Sequence, residues 1–406
     1  MIFGTADTVT ITNDGGANDD STDENTFLLG AVTTTTAANG TLEIAVGADE
    51  DLTVTIGAIT IGGDISTSNV SHLAQTVTVA TGAVTLGGDL TVGNAASTAA
   101  TAFTITGAAT ITGATMVLGG AAAGTAGLTV TGNATFTGGL AVTGGSADGG
   151  KATATLGSTS INFGTGTGAV LTNGAAGTDG ATLLFNGSTA AQEVTGKIDG
   201  VADGEGVITV RNVNGTGVTF KSAIGSANDV GTINVGDATG AGDAVFDSTV
   251  GATAIAVDAT KGASTATFND TVAIGAGGLT VTSTTTDTAT ATATFNKAIT
   301  VTVGTTAIMG NVTFGNSGAA TEKHSLGAGA VTINTTDSTI VAASKIESTG
   351  AVQLAGTADK TTTINIKKTS TFNPTDADGN GTAGEATDVV LSTAGVIAAP
   401  TGKVKI

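Results

Sequence analysis

A short glycine-led segment recurs at a fixed interval in the first half of the chain. The segments GAITIGGDI, GAVTLGGDL, GAATITGAT, GNATFTGGL and GSTSINFGT begin at Gly57, Gly82, Gly107, Gly132 and Gly157. Successive segments therefore start about 25 residues apart. A repeat of this length is typical of units that stack on their neighbours, because one such unit cannot bury its apolar face alone.

Each segment alternates between apolar and hydroxyl-bearing residues. Its third and fifth positions are mostly apolar and its fourth carries a hydroxyl group, which is the pattern of a half-buried β-strand. In a parallel stack the fifth positions form an interior column of Ile61, Leu86, Ile111, Phe136 and Ile161. The fourth positions form an outer ladder of Thr60, Thr85, Thr110, Thr135 and Ser160.

These patterns predict an all-β protein, namely a repeat-built parallel β-solenoid with about 25 residues and three short strands in each coil. The alternative is a tandem β-sandwich or hairpin array that turns at pairs such as Gly62-Gly63 and Gly87-Gly88, since Gly-Gly also suits a two-residue hairpin. The constant register of five units favours the solenoid, because hairpins do not require it.

The repeat pattern divides the chain into three segments. Residues 1–31 form an acidic N-terminal segment, residues 32–368 the β-strand repeat array, and residues 369–406 a C-terminal segment with a predicted calcium loop. The two prolines of the chain, Pro374 and Pro400, both lie in this last segment. A proline-free array suits sheet pairing, because proline cannot donate a hydrogen bond to a strand ladder.

The charge of the chain limits its partners. It has 406 residues, of which 33 are acidic and 13 basic, so the formal net charge is -20. Nucleic acid is not expected as a partner, because phosphates are bound by basic residues. No apolar run approaches the roughly 18 residues that span a bilayer, so no membrane insertion is expected. The absence of cysteine excludes disulfide bonds.

The C-terminal segment contains a candidate calcium loop. Oxygen-bearing side chains at its first, third and fifth positions, followed by Gly381, resemble the front half of an EF-hand loop. The back half departs from that pattern, because its twelfth position is Thr387. The predicted metal ligands are Asp376, Asp378, Asn380, Thr382, Glu385 and Asp388. The alternative is an Asx-rich turn that binds no metal.

A second set of candidate metal ligands lies near the N-terminus and comprises Asp14, Asp19, Asp20 and Asp23. No lysine or arginine precedes Lys151, so these carboxylates must be solvated or bind cations. The cofactor predicted from both sets is calcium. A solvated acidic loop remains the alternative reading of this second set.

No catalytic site is predicted, and we expect the chain not to be an enzyme. It has no cysteine nucleophile and no G-x-S-x-G motif, and no pair of acids stands out for sugar cleavage. His72 and His324 are isolated in the sequence, which favours surface or turn positions over zinc ligation. The two Thr-x-Thr runs at Thr104 and Thr129 lie one period apart and are similar to the threonine arrays of ice-binding solenoids.

The composition, the lack of cysteine and strand repeats such as GAVTLGGDLTVGN, which begins at Gly82, resemble bacterial surface-layer proteins and the β-strand-repeat passengers of autotransporter-type surface antigens. The resemblance covers roughly residues 30 to 370. Residues Met1 to Asp7 lack the features of a secretory signal, as in surface-layer proteins exported by type I secretion. The G-G-x-G-x-D calcium repeats of those proteins are missing here.

The resemblance implies an extracellular or cell-surface structural protein. We expect it to self-assemble, as a homopolymer stabilised by calcium, into a surface layer, sheath or filament. A cell-surface polysaccharide is a further expected partner. The alternatives are an adhesin or ice-binding β-solenoid module and, third, a carbohydrate-active solenoid.

Overall fold

The structure is a computed structural model in which many of the residues between strands are not described. The described residues are 2–3, 7–13, 25–34, 40–46, 51–69, 77–121, 124–146, 149–174, 180–187, 190–283, 289–314, 323–326, 331–335, 339–342, 345–348, 352–356, 361–366, 372–374 and 403–405. The chain divides into two compact units, Met1–Ile208 (unit 1) and Thr209–Ile406 (unit 2). All regular elements in the described residues are β-strands.

The strands of unit 1 are short and closely spaced. They are β1 Ile2–Phe3, β2 Thr8–Asn13, β3 Asn25–Thr34, β4 Thr41–Val46, β5 Leu52–Ile61, β6 Ile65–Asn69, β7 Val77–Thr81, β8 Val84–Leu86, β9 Leu90–Gly93, β10 Thr101–Ile105, β11 Ala109–Ile111, β12 Thr115–Leu118, β13 Thr125–Val130, β14 Ala134–Phe136, β15 Leu140–Thr143, β16 Lys151–Leu156, β17 Ser160–Asn162, β18 Ala169–Thr172, β19 Ala181–Phe185, β20 Gln192–Thr195 and β21 Ile198–Gly200. β22, Glu205–Val210, includes the boundary between the units.

The strands of unit 2 continue the same pattern with less regular spacing. They are β23 Val218–Phe220, β24 Val230–Val235, β25 Asp243–Phe246, β26 Val250–Asp258, β27 Ser264–Phe268, β28 Val272–Thr282, β29 Ala291–Phe295, β30 Ile299–Val301, β31 Thr306–Met309, β32 Asn311–Phe314, β33 Lys323–Ser325, β34 Val331–Thr335, β35 Thr339–Ala342, β36 Lys345–Ser348, β37 Val352–Gly356, β38 Thr361–Ile366, β39 Phe372–Pro374 and β40 Lys403–Lys405.

Every described strand pairing whose register is resolved is parallel, and each joins positions one coil apart, so the predicted β-solenoid is confirmed, with roughly 25 residues per coil. In unit 1 the strands form three faces. Face A contains residues 25–29 of β3 and 52–56 of β5, then β7, β10, β13, β16 and β19. Face B contains residues 31–34 of β3 and 58–61 of β5, then β8, β11, β14, β17 and β20. Face C is an eight-stranded sheet of β2, β4, β6, β9, β12, β15, β18 and β21.

The interior of unit 1 consists of stacked apolar columns. Ile61, Leu86, Ile111 and Phe136 occupy one column in register, as the alternation predicts, and all four are buried. Each residue covers the next along the axis at the strand spacing of about 4.8 Å. A coil therefore buries its apolar face only against its neighbours.

The prediction that Ile161 extends this column was wrong. Ile161 lies in register with Ala134, and Phe163 instead stacks on Phe136 with the ring centroids 6.0 Å apart. The reason is two added residues. Seven residues separate Thr143 from Lys151, whereas six separate their register partners Leu118 and Thr125. Four residues separate Leu156 from Ile161, whereas three separate Val130 from Ala134.

Unit 2 is also a three-faced parallel solenoid, and its core contains a column of stacked phenylalanine rings. Phe220, Phe246, Phe268, Phe295 and Phe314 follow one another along β23, β25, β27, β29 and β32. Neighbouring centroids lie 4.6 to 5.7 Å apart and the ring planes are within 13° of parallel. All five rings are at most 1% exposed. This column supplies bulky core packing in a chain with few aromatic residues.

Candidate functional site

Face B of unit 1 carries an unbroken row of threonines, which we call the hydroxyl ladder. It consists of Thr33, Thr60, Thr85, Thr110 and Thr135, each in register with the next. Thr60, Thr85 and Thr110 are exposed. The predicted ladder is thus confirmed from Thr60 to Thr135. It is wrong at its last member, since Ser160 pairs with Glu193 and Asn162 lies opposite Thr135.

Small residues flank the hydroxyl ladder on face B. Ala58, Ala83 and Ala108 precede successive ladder positions by two residues, so they point to the same side of the sheet. Gly62 and Gly87 follow at the corner, where the Gly87 N–H donates to the Ile61 carbonyl at 2.9 Å. With no long side chain among these columns, this stretch of face B presents a flat surface of methyl and hydroxyl groups.

Face A presents a similar surface beside it. Thr104, Thr129 and Thr155 stack in register and are half-buried, so the predicted column of Thr104 and Thr129 is confirmed and extends by one coil. At the corner beyond it, the Thr131 hydroxyl donates to the Thr106 carbonyl at 3.0 Å. The Thr106 hydroxyl in turn donates to a carbonyl of the preceding coil. Corner hydroxyls therefore bond within the solenoid, while the hydroxyl ladder on face B has exposed members.

Faces A and B are nearly free of charge over this stretch. Between residues 52 and 147 the only charged side chains are Asp64 and Asp89, although the whole chain has a net charge of -20. Both lie at the corner that leads to face C and bond to the next coil. Asp64 Oδ1 accepts the Asp89 N–H at 2.9 Å, and Asp89 Oδ1 accepts the Ala114 N–H at 2.7 Å. Two flat uncharged faces on a strongly acidic chain form the candidate functional site.

Charged groups in unit 2 are arranged differently, in a polar ladder just after the phenylalanine column. Lys221 Nζ donates to Asp247 Oδ2 at 2.8 Å, Asn269 Nδ2 donates to Asp247 Oδ1 at 2.7 Å, and Asn296 Nδ2 donates to Asn269 Oδ1 at 2.7 Å. The hydrogen bond from Lys221 holds the pKa of the Asp247 carboxyl below its usual value. This ladder joins four coils and is a structural element.

Two further carboxyls of unit 2 have shifted pKa values of opposite sign. Burial raises the pKa of Asp237, but the hydrogen bond from Arg211 and those from the Thr239 and Gly240 N–H groups together hold it below the usual value. Arg211 Nη2 lies 2.6 Å from Asp237 Oδ2. Burial raises the pKa of Asp243 above its usual value, against smaller effects of hydrogen bonds from Thr265.

An open groove of about 450 Å³ lies within unit 2. Its floor is formed by small residues, among them Gly225, Gly251 and Ala273, which follow one another in successive coils. Its lining includes one carboxyl group, that of Asp229. Sugar-cleaving enzymes use a pair of carboxyl groups, so this groove offers no support for the carbohydrate-active alternative.

The predicted calcium ligands all lie outside the described residues. This holds for Asp376, Asp378, Asn380, Thr382, Glu385 and Asp388, and equally for Asp14, Asp19, Asp20 and Asp23. Within the described part of the chain, no group of three or more His, Cys, Asp or Glu side chains is placed to hold a metal ion. Calcium binding therefore stays a prediction.

The predictions for the two histidines have different outcomes. His72 lies outside the described residues. His324 was expected at a surface or turn, which was wrong: it lies in β33, is fully buried and packs against Phe314 with ring centroids 5.4 Å apart. It lies on a different face from the phenylalanine column, in which Phe314 is followed in register by Ala342.

One member of the hydroxyl ladder was not predicted from the sequence. Thr33 belongs to the segment beginning Gly30-Ala31-Val32-Thr33, which has the same start as GAVTLGGDL. The signal was present, but this segment starts 27 residues before Gly57 and so falls outside a strict 25-residue interval.

Comparisons with protein-family models, characterised proteins and solved structures found no match. In the part of the chain that the structure describes, there is no helix with the length and apolarity to cross a membrane. The geometry and charge of the solenoid surfaces are therefore the features that bear on function.

Proposed function

We propose that this chain is an extracellular structural protein whose copies associate through faces A and B of unit 1 into a surface layer, sheath or filament. The observation that carries the proposal is the absence of charged side chains from faces A and B between residues 52 and 147, apart from the corner residues Asp64 and Asp89, in a chain of net charge -20. Like charges oppose close approach of two copies. Repulsion is therefore weakest where the uncharged faces meet.

The size of the faces favours an array over an isolated pair. The four strands of face A in this stretch, each about five residues long, cover about 320 Å², given about 3.3 Å per residue and about 4.8 Å between strands. A stable pairwise interface buries about 800 Å² on each partner. One such contact is therefore weak, and association becomes stable when each copy makes several contacts at once.

The test replaces exposed members of the hydroxyl ladder by lysine. Thr85→Lys combined with Thr110→Lys should abolish association, or raise at least tenfold the protein concentration that it requires. The reason is that the two lysine charges would lose their hydration when they are buried in the contact. Two lysines also reduce the net charge of the chain, which by itself favours association. The control, Thr91→Lys with Ala141→Lys on face C, adds the same charge and should associate at least as readily as the parent protein.

Sedimentation velocity and negative-stain electron microscopy provide the measurements. Ordered arrays from the parent and the face C control, but not from the face B variant, support the proposal. Arrays of the face B variant that match those of the parent would show that this face is not the contact.

Calcium is a second part of the proposal, as a bridge between acidic segments of neighbouring copies. Arrays should then form at lower protein concentration with calcium and dissolve when a chelator is added. Magnesium at the same concentration is the control, because it binds poorly to flexible carboxylate sites. Equal assembly in calcium and chelator would remove calcium from the mechanism.

Cell-surface location is proposed from the resemblance of the repeats to surface-layer proteins and autotransporter passengers. Antibody labelling of intact cells of the source organism tests it. Labelling only after the cells are opened would contradict an extracellular role. The same cells test the adhesin alternative. If the chain is an adhesin or binds a cell-surface polysaccharide, isolated single copies should remain bound to cell-wall material.

The hydroxyl ladder also favours a second candidate function, ice binding. Five threonines in register give hydroxyl and methyl groups at one regular spacing along the axis, on a flat surface without charge. Thermal hysteresis measured on dilute protein distinguishes this function. A hysteresis that Thr85→Lys with Thr110→Lys removes, in protein that remains monomeric, would support ice binding in place of assembly.

A further inference from the structure

The groove in unit 2 forms where one coil has more residues than the next. Residues 225–229 of one coil stand beside the single residue Gly251 of the following coil. The pairings that flank them join Ile224 to Val250 and Val230 to Ala252. Extra residues of this kind are over-represented beside active sites, where they redirect side chains. Three of the five residues line the groove, so this longer corner forms one of its walls.

The longer corner places a carboxylate against the floor of the groove. A Cβ added at Gly251 would overlap Asp229 Oδ1, so the carboxylate lies directly over the backbone of that glycine. Gly251 in turn stacks on Gly225, whose φ of 67° is in the left-handed region that favours glycine. Among the described residues that line the groove, Asp229 is the only one with a charge.

Hydroxyl groups surround this carboxylate. Thr249, Thr271 and Thr300 lie on the floor of the groove and Ser226 on its wall, and all four residues are exposed. Ala273 is in register with Thr300 and is also exposed, and its small side chain leaves the centre of the floor open. The groove therefore combines one carboxylate with four hydroxyl groups that face solvent.

The backbone of the floor is already paired between coils. The Val250 N–H donates to the Thr271 carbonyl at 3.0 Å, and the Val272 N–H donates to the Ala298 carbonyl at 2.9 Å. A peptide that binds by strand addition needs unpaired backbone groups. The groove thus offers a ligand its side-chain hydroxyls and its carboxylate, in place of a free strand edge.

We propose that this groove binds a polysaccharide that contains amino sugars, with an ammonium group against Asp229 and sugar hydroxyls against the exposed threonines and serine. Serine and threonine hydroxyls both donate and accept hydrogen bonds, as sugar hydroxyls do. The hydrogen bond between an ammonium group and a carboxylate is charge-assisted and therefore stronger. An anionic polysaccharide would instead be repelled by Asp229 and by the net charge of -20.

The dimensions of the groove agree with such a ligand. Its volume of about 450 Å³ lies within the range of about 300 to 1,000 Å³ that is usual for ligand sites. Its floor runs across four coils, a length of about 14 Å, so a chain of sugar units can lie along the axis. A carboxylate has about four acceptor positions, so Asp229 can bind a ligand and keep its contacts within the fold.

A single groove should bind weakly, because no aromatic ring is among its described lining residues. An array repeats the groove on every copy, and several weak contacts on one polymer then act together. The inference goes beyond the proposed assembly, since it concerns a surface of unit 2 and applies to single copies. It also differs from the carbohydrate-active alternative, because it involves binding without cleavage.

Titration calorimetry on single copies tests the proposal, at pH 6 and about 0.15 M NaCl, which screens charges beyond about 8 Å. The protein is the Thr85→Lys, Thr110→Lys variant, in which lateral association should be lost. The ligands are a glucosamine tetramer, an N-acetylglucosamine tetramer and maltotetraose. The glucosamine tetramer should bind at least fivefold more tightly than the other two, because only its units carry an ammonium group. Equal affinity for all three, or binding of none, would overturn the proposal.

A charge variant locates the ammonium group. Asp229→Asn should reduce the affinity for the glucosamine tetramer at least fivefold, to the level of maltotetraose. Asp203→Asn, at an exposed turn of unit 1, makes the same change in net charge outside the groove and should change the affinity less than twofold. Equal losses in the two variants would mean that the tetramer binds the acidic surface in general, which contradicts the proposal.

A blocking variant tests the groove itself. Ala273→Leu fills the centre of the floor from an exposed position and should reduce the affinity at least fivefold. Thr280→Leu, which is exposed on the same strand beyond the next corner, is the control and should have no effect. Circular dichroism verifies that both variants are folded. Full affinity in the Ala273→Leu variant would overturn the assignment of this groove.

A lysine tetramer tests the competing ligand, a basic peptide. If it binds more tightly than the glucosamine tetramer and Ala273→Leu abolishes that binding, the groove is a peptide site and the proposal is wrong. Assembly is measured separately on the parent protein without sugar. Arrays that form although single copies bind no glucosamine tetramer would overturn this inference alone, whereas binding by a protein that never forms arrays would overturn the proposed assembly alone.

Discussion

Phe246 and Phe268 lie one coil apart with their rings 4.6 Å apart at the centroids and only 4° from parallel. Their strands, β25 and β27, are in register along four residues, so the backbone spacing sets the ring spacing. The same relationship extends from Phe220 to Phe314. Unit 2 thus obtains its bulkiest core packing from one repeated position.

Truncation within this column should destabilise unit 2. Phe268→Ala is expected to reduce the free energy of unfolding by about 3 to 5 kcal/mol, since it removes a fully buried ring and its contacts with two neighbours. Urea denaturation followed by circular dichroism measures the loss. Thr267→Ala, on the outward side of the same strand, is the control and should change stability by about 0.5 kcal/mol or less.

Two glycines of unit 1 should respond oppositely to alanine. A Cβ at Gly113 would overlap the backbone of Gly88 and the Asp89 carboxylate, so Gly113→Ala should destabilise the corner by several kcal/mol. At Gly127 the nearest atom to an added Cβ is 3.9 Å away, which is ordinary contact. Gly127→Ala should be neutral or stabilise by about 0.4 to 1 kcal/mol.

Thermal unfolding of the two glycine variants, monitored side by side, measures this difference. Equal melting temperatures for both would contradict the close stacking of corners between coils.

Asp237 and Asp243 should give opposite pH dependence. The folded-state pKa of Asp237 lies below the usual 3.8, so its ionised form stabilises the fold above that pH, and this contribution is lost as the pH falls through the lowered pKa. The folded-state pKa of Asp243 lies above 3.8, so stability is lost as the pH rises from 3.8 through the raised pKa.

Comparison of Asp237→Asn and Asp243→Asn with the parent protein at pH 3 and pH 7 measures both effects. Asp237→Asn should destabilise more at pH 7 than at pH 3, because only the ionised carboxylate bonds strongly to Arg211. The effect of Asp243→Asn on stability should be more favourable at pH 7 than at pH 3, because at pH 7 the substitution removes a partly buried charge. If the stability changes of both variants depended on pH in the same direction, burial would not be the cause of the raised pKa of Asp243.

Lateral association should strengthen with salt. Raising the NaCl concentration from about 0.01 M to about 1 M shortens the screening length from about 30 Å to about 3 Å, which weakens repulsion between acidic copies. Faces A and B contain no ion pairs for salt to disrupt between residues 52 and 146 in the described region. Sedimentation across this range should show larger species at high salt, and dissociation at high salt would favour contacts made by charged groups.

Much of unit 1 was predictable because its repeat length is constant where the prediction was made. Ile61, Leu86, Ile111 and Phe136 share a column because no corner between them changes length. The prediction was wrong at Ile161, because two residues are added before it, one between Thr143 and Lys151 and one between Leu156 and Ile161. Side-chain alternation has a period of two, so the two added residues leave Ile161 facing inward but place it in register with Ala134, and Phe163 stacks on Phe136.

The phenylalanine column was not predicted, because its members are 26, 22, 27 and 19 residues apart. A search for a fixed interval misses such a series. The signal lay in the local pattern, where Thr-Phe-Asn at Phe268 and Phe295 is matched by Thr-Phe-Lys at Phe220 and Val-Phe-Asp at Phe246.

The two residues added before Ile161 change the numbering of the coil but not the position of the ring that fills it. Lengthening of a corner is thus absorbed locally, since neighbouring turns touch only one another. Foreign peptides could accordingly be grafted into such corners of unit 1, for example between Leu156 and Ile161, and displayed one coil apart without redesign of its interior.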